Sequence, residues 1–156
     1  TRVRSSAASD VYKRQGDIVT VPEYVNRIKH LDNELSFKQR QKSELFDMLV
    51  SITAPPSESV QKTAEDKMSS LVSQYVDLGN EIIEIYQKKF AAENEFQALV
   101  SQLPPQWEEF LLLRYLSRMS FEDIAEEMGY SREWCWKTNK KACAALEELL
   151  NAKSVQ

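Results

Sequence analysis

The chain has 156 residues, of which 42% are hydrophobic and 28% charged, and its formal net charge is -4. This composition is typical of a folded protein and not of a disordered tail. Only 3 Gly and 5 Pro occur, which is few for a loop-rich β-sandwich or barrel. No apolar run approaches the ~20 residues that a membrane span needs. We therefore predict a cytoplasmic protein with no membrane partner.

Catalytic chemistry has little support in the sequence. His30 is the only histidine, so a catalytic serine or cysteine has no other histidine to serve as its base. The three glycines stand apart at positions 16, 79 and 129, which excludes a glycine-rich phosphate loop. Cys135 and Cys143 lie far from His30, and their spacing fits neither a disulfide framework nor a zinc site. We predict a protein that is not an enzyme and holds no metal or cofactor.

The first fifteen residues do not share the helical periodicity of the rest of the chain. Ser5 to Gln15 reads SSAASDVYKRQ, which matches, codon for codon, the translation of a transposase-type sequencing adapter. We interpret residues 1–15 as a non-native leader and exclude them from the functional argument. The leader carries four basic side chains and one acidic one, so the remaining chain has a net charge of -7. A chain this acidic is not expected to coat nucleic acid nonspecifically.

Two long stretches carry seam residues that alternate at spacings of three and four. This alternation is the signature of a coiled coil, and prolines bound both stretches. The first seam is Tyr24, Ile28, Leu31, Leu35, Lys38, Lys42, Leu45, Leu49 and Ile52. The second seam is Met68, Leu71, Tyr75, Leu78, Ile82, Ile85, Lys89, Ala92, Phe96, Leu99 and Leu103.

The two seams predict an antiparallel helical hairpin over residues 16–103, because a polar loop from Thr53 to Asp66 joins them. A fold about residue 60 brings the seam lysines close to acidic residues of the second helix, which helps to fix the register. The expected pairs are Lys38 with Glu81 or Ile82, and Lys42 with Asp77 or Leu78. Since such a hairpin buries only one stripe of each helix, we expect a homodimer. A structural spacer and a surface that docks a partner stay open as alternatives.

Residues 104–150 carry the local signals of a helix-turn-helix, and residues 151–156 form a tail. Pro105 suits the first position of a helix, Ser120 and Ser131 are N-caps, and Gly129 is a left-handed C-cap. A short helix, a tight glycine turn and a longer helix then follow one another. The expected buried stripe of the last helix is Cys135, Thr138, Ala142 and Leu146.

Several motifs of this segment match a known family. They are Leu103-Pro104-Pro105, Leu113-Arg114-Tyr115, Ser120 with Asp123-Ile124-Ala125-Glu126, Gly129-Tyr130-Ser131-Arg132-Glu133, and Lys141-Ala142 with Leu146. On these residues the segment resembles sigma-70 region 4, the promoter reader of bacterial sigma factors. From about Tyr24 the chain is also similar to small phage and prophage regulators, in which a helical half precedes a sigma-like helix-turn-helix. The resemblance implies binding to double-stranded DNA, with RNA polymerase as a further partner.

The candidate DNA-binding residues lie on the exposed side of the last helix. In sigma-type domains, the residues that match four of them enter the major groove, where Arg and Lys donate to guanine and Glu accepts from cytosine. A serine at the helix start can hold a phosphate. The candidates are Ser131, Arg132, Glu133, Trp136, Lys137, Lys140 and Lys141. An ordinary solvated helix face is the alternative; for Trp136 the partner is DNA or another protein, and Trp134 is expected to pack.

The sequence thus predicts an all-α protein, a long antiparallel helical hairpin (coiled coil) followed by a helix-turn-helix. Its predicted function is that of a phage or prophage transcriptional regulator that binds DNA. Two alternatives stay open. One is an adaptor that binds RNA polymerase and not DNA, and the other is a small DNA-packaging subunit.

Overall fold

The computed structural model of the chain describes residues 19–52 and 58–155, with side chains given for 19–52 and 65–152. Every regular element of these residues is a helix, so the predicted all-α class is confirmed. The predicted leader, residues 1–15, lies outside the described residues. The elements are α1 (Val21–Ile52), α2 (Glu58–Val100), α3 (Pro105–Leu111), a π-helical turn (Leu112–Leu116), α4 (Phe121–Met128) and α5 (Arg132–Val155).

The chain divides into two compact units that cut across the long helices. One unit is Ile28–Ala91, which contains most of α1 and α2. The other joins the chain before Ile28 to the chain from Ala92 onward, and so contains α3, α4 and α5. The predicted boundary between 16–103 and 104–150 stays a prediction.

Within the unit Ile28–Ala91, α1 and α2 run antiparallel. Two ion pairs fix their register: Lys38 Nζ lies 2.9 Å from Glu81, and Lys89 Nζ lies 2.9 Å from Asp32. The predicted partner of Lys38 is thereby confirmed. Leu35, Ile82 and Ile85 are buried together, and Leu31 packs against them. All positions of both predicted seams along the chain are buried or half-buried.

The second seam lysine makes a different contact from the expected one. We expected Asp77 or Leu78 opposite Lys42, whereas the structure places its ammonium 4.8 Å from the centre of the Tyr75 ring. A cation over an aromatic face is attracted by the negative potential of the ring. The Tyr75 ring therefore stabilises the Lys42 ammonium within the seam.

The predicted polar loop is shorter than expected. We predicted a loop from Thr53 to Asp66, but α2 begins at Glu58, so the second half of that segment is helical. Residues 53–57, which contain both prolines, lie outside the described residues. The helical half is rich in Glu, Gln, Lys and Ala, which are good helix formers and extend a helix without an apolar seam.

The start of α1 is capped from two directions. The backbone N–H of Glu23 donates to Thr20 Oγ1 at 3.3 Å, and the Thr20 N–H donates to Glu23 Oε2 at 3.1 Å, which forms a capping box. The N–H of Val21 donates to Glu147 Oε2 of α5 at 2.8 Å. This carboxylate also lies at the positive end of the α1 dipole. The contact ties the start of α1 to α5.

An apolar pair extends this junction. The Tyr24 ring stacks on Phe96 with centroids 6.2 Å apart, and the Arg27 guanidinium lies 4.5 Å from the Tyr24 centroid. Arg27 also forms an ion pair with Glu95 at 2.8 Å. Partial burial raises the pKa of Tyr24 to about 12. None of the described helices has the length and apolarity that a membrane span requires.

Candidate functional site

Three local signals set the turn between α4 and α5. The Asp123 N–H donates to Ser120 Oγ at 3.1 Å at the start of α4, and Gly129 ends that helix with a left-handed φ of 76°. The Trp134 N–H donates to Ser131 Oγ at 3.0 Å at the start of α5. All three predicted caps are therefore confirmed. They define where α5 begins, and hence which of its side chains lie near the turn.

A buried stripe sets the rotation of α5 about its axis. The side chains of Cys135, Ala142 and Leu146 are fully buried, and Thr138 is nearly so. The buried residues Phe110, Leu111 and Ile124 come from α3 and α4. The predicted core stripe is thus confirmed, and the residues on the opposite side of α5 face solvent.

The π-helical turn after α3 orients two side chains, Arg114 and Tyr115, which the sequence analysis named only as part of a family motif. The Tyr115 hydroxyl donates to Asn139 Oδ1 at 3.1 Å and lies 3.3 Å from Cys143 Sγ, both on α5. Burial raises the pKa of the Tyr115 phenol. Arg114 Nη1 donates to the Met119 carbonyl at 2.9 Å and thereby braces the turn before α4.

The two neighbouring tryptophans of α5 have different environments. The half-buried Trp134 stacks on Tyr130 with ring centroids 4.0 Å apart, and it meets Phe110 edge-on at 6.0 Å. Trp136 is 57% exposed, and only its edge approaches Phe121, at 5.7 Å. The expectation that Trp134 packs against the domain is confirmed. Trp136 is instead held on the surface by an aromatic neighbour.

All seven predicted DNA-binding residues are exposed. They are Ser131, Arg132, Glu133, Trp136, Lys137, Lys140 and Lys141. They lie on the first ten residues of α5 and on its N-cap, outside the buried stripe of that helix. Their exposure makes them accessible to a partner, but their contact with DNA stays a prediction.

An ion pair within this face changes its electrostatics. Lys137 Nζ lies 3.1 Å from Glu133 Oε1, one helical turn away, and both side chains are more than two-thirds exposed. Exposed pairs of this kind contribute only about 0.3–0.5 kcal/mol. Glu133 therefore holds Lys137 only weakly. A DNA phosphate or base edge can replace the Glu133 carboxylate as the partner of Lys137.

The aromatic rings around Trp136 are the feature of the site that the sequence analysis missed. Phe121, at the start of α4, meets Trp136 on one side and Phe110 on the other. The Arg114 guanidinium lies 4.3 Å from the centroid of the same ring. No local pattern in the sequence indicated this cluster, because Phe110, Phe121 and Trp136 come from three different helices.

Both cysteine thiols of α5 are shielded from reaction. Burial raises the pKa of both Cys135 and Cys143, which keeps these thiols protonated and weakly nucleophilic. Across the described ranges, 19–52 and 58–155, no three His, Cys, Asp or Glu side chains group as metal ligands.

Comparison with known families gives one match. The family model of sigma-70 region 4 matches residues 93–137, which run from the end of α2 through α3 and α4 into the first turns of α5. Lys140 and Lys141 lie beyond the matched segment. Comparison with curated proteins and with solved structures finds no match. The matched segment contains α3, α4, the turn after α4 and the start of α5, with four of the exposed candidates on α5.

Proposed function

We propose that this chain is a cytoplasmic DNA-binding transcriptional regulator of the phage or prophage type, with the first half of α5 as its reading element. The observation that carries the proposal is the exposed, locally basic face of α5 on a helix-turn-helix that the region 4 family model matches. Region 4 of sigma factors is a DNA-binding unit, and helix-turn-helix proteins place their second helix in the major groove.

The candidate residues of the α5 face fall into groups according to their position along the helix. Arg132, Glu133, Trp136 and Lys137 occupy the first turns of α5, which is where helix-turn-helix proteins contact base edges. Ser131 accepts an N–H in the cap, and a hydroxyl that accepts also carries its own proton to donate to a phosphate. Lys140 and Lys141 lie further along the helix and suit phosphate contacts, which position the protein without reading sequence.

Alanine variants of two α5 residues test the proposal. A DNA site is first selected from a random pool by the full chain, and binding is then titrated at several salt concentrations. Arg132→Ala is expected to cost about 1–3 kcal/mol at one base pair and to relax the preference there. Lys140→Ala is expected to weaken all sequences alike and to reduce the salt slope by about 1.

Lys88→Ala is the matched control, because Lys88 is an exposed lysine of α2 and its loss changes the net charge equally. The control should bind like the parent. If both α5 variants stay folded and also bind like the parent, α5 is not the reading element.

An adaptor that binds RNA polymerase is the second candidate, and the surface of α4 favours it. Four exposed carboxylates lie on this eight-residue helix: Glu122, Asp123, Glu126 and Glu127. They repel phosphates, and an exposed tryptophan such as Trp136 is a residue type enriched in protein interfaces. Binding to purified polymerase core in the absence of DNA, combined with no binding to any selected site, supports the adaptor over the reader.

A further inference from the structure

A second apolar stripe runs along α2 beside the seam that packs against α1. The stripe consists of Val72, Val76, Gly79, Ile83, Tyr86 and Phe90, at spacings of 4, 3, 4, 3 and 4. Its five side chains are strongly exposed, with Ile83 at 56% and Phe90 at 67%. A helix with only one narrow seam suits a two-stranded coil, whereas a wider apolar face is the pattern of a helix inside a bundle. Packing against α1 alone therefore leaves the second apolar stripe of α2 exposed.

The matching side of α1 contributes a groove to the same surface. Gln39 Nε2 donates to the Tyr86 hydroxyl at 3.3 Å, which shows that this side of α1 adjoins the second stripe. A groove between the helices is lined by Gln39, Lys42, Ser43, Phe46, Tyr75 and Ile82. Gly79 lies next to the groove, because a Cβ built on it would lie 3.8 Å from Nζ of Lys42, which lines the groove.

Steric packing within the chain does not require a glycine at position 79. Glycine in a helix interior destabilises that helix relative to alanine. A Cβ at position 79 would meet only the end of the Lys42 side chain, at 3.8 Å, which is ordinary contact. The packing of this chain alone therefore does not explain why a glycine stands at position 79.

We propose that this face, defined as the second stripe of α2 with the adjoining groove, is the interface of a twofold symmetric homodimer. In an antiparallel α2–α2 pairing centred on residue 81, residues whose numbers sum to 162 lie opposite each other. The pairs are Val72 with Phe90, Val76 with Tyr86, and Gly79 with Ile83. Each pair joins a smaller residue to a larger one, and the exposed Ile83 of one copy enters the groove beside Gly79 of the other.

The size of the face suits this assignment. The stripe runs over 19 residues, from Val72 to Phe90, which is about 27 Å of helix, and two adjacent helices present a width of about 20 Å. The face therefore covers about 500 Å² per copy, or about 1,000 Å² in total, which is the lower limit for a specific interface. A twofold axis makes the contact isologous, so the assembly closes at two copies.

Sedimentation equilibrium of the full chain tests the dimer. We expect a dimer of the 18.0 kDa chain, and Ile83→Glu is expected to raise the dissociation constant at least about tenfold, because it buries a charge. Ile83 is exposed in the single chain, so helicity by circular dichroism should not change. Gln74→Glu adds the same charge at an exposed position on the opposite side of α2, nine residues from Ile83, and should leave the dimer intact.

Gly79→Leu distinguishes this interface from nonspecific apolar association. Leucine raises both helix propensity and surface apolarity, so nonspecific association would strengthen. At the proposed interface leucine blocks the entry of Ile83, and the dissociation constant should rise at least about tenfold. Disulfide formation tests the register, because the proposed pairing places position 79 of one copy opposite position 83 of the other. A mixture of Gly79→Cys and Ile83→Cys chains should therefore form disulfide-linked dimers faster than either variant does by itself.

Three results would overturn the proposal. The first is a chain that stays monomeric up to about 100 μM, a concentration at which a specific dimer should form. The second is tighter association of Gly79→Leu, and the third is equal effects of Ile83→Glu and Gln74→Glu. Because none of these measurements involves DNA, the dimer can fail while the proposed function stands, and the reverse also holds.

Discussion

Substitutions at Gly129 should follow backbone conformation and not side-chain size. Gly129 has a φ of 76°, and a Cβ built on it meets no atom within 4 Å. Space therefore contributes nothing to the cost of a substitution. A left-handed conformation costs an L-residue roughly 1–2 kcal/mol, and part of this is offset because alanine reduces the entropy of the unfolded chain by about 0.4–1 kcal/mol. We expect Gly129→Ala to lower the free energy of unfolding by about 1 kcal/mol.

Gly129→Asn is the informative companion variant. Asparagine is larger than alanine but adopts the left-handed region more readily, because its side chain bonds locally to the backbone. The expected order, from the most to the least stable variant at position 129, is therefore Gly, Asn and Ala. A steric cause would give the opposite order for the last two.

Urea unfolding followed by tryptophan fluorescence measures this order. Trp107, Trp134 and Trp136 are the three tryptophans of the chain, and all lie in the unit that contains Gly129. The signal thus reports on the correct unit, with an unchanged denaturant slope as the check for two-state behaviour. If Gly129→Ala matches the parent, or if Asn destabilises more than Ala, the conformational argument is wrong.

Three further changes test contacts elsewhere in the fold. Glu147→Gln keeps the shape of the side chain but removes the charge that accepts from the Val21 N–H at 2.8 Å, and the unfolding free energy should fall by about 1 kcal/mol in a urea titration. Lys38→Met should stabilise the hairpin against heat despite losing the ion pair with Glu81, because partly exposed pairs contribute little and an apolar seam packs better; a lower melting temperature would contradict this. Partial burial raises the pKa of Tyr24 from 10.0 to about 12, so its contribution to stability is complete below pH 10 and is lost as the pH rises towards 12. Unfolding measured across this range should show a weaker pH dependence in Tyr24→Phe than in the parent.

The parts of the fold that follow from local periodicity could be predicted from the sequence. The 4–3 alternation identified both hairpin seams, and the fold about residue 60 placed Lys38 opposite Glu81. The caps at Ser120, Gly129 and Ser131 were also predictable, because each depends on two to four neighbouring residues. Spacings of three and four also predicted the buried stripe of α5, and hence which side of that helix is exposed.

Contacts that join distant segments could not be predicted in this way. The hydrogen bond from Val21 to Glu147 joins residues 126 positions apart, and no local pattern encodes it. The π-helical turn Leu112–Leu116 depends on how Tyr115 reaches α5, which only the packed domain determines. Other features were present in the sequence and overlooked. The capping box of Thr20 and Glu23 is one, and the second stripe of α2 is another.

Charge links the two proposals. The exposed cations of the α5 face are Arg132, Lys137, Lys140 and Lys141, so one copy neutralises at most four phosphates, with a salt slope of at most about -3.6. Against this stand the acidic surface of α4 and a net charge of -7 over residues 16–156. A single copy is therefore a weak binder, whereas two copies joined through α2 double the contacts, and the second binds at a raised effective concentration. Ile83→Glu, which leaves the sequence of the α5 face unchanged, should then weaken DNA binding and about halve the salt slope. A variant that dissociates into monomers and yet keeps the parental slope would show that one copy is sufficient to read DNA.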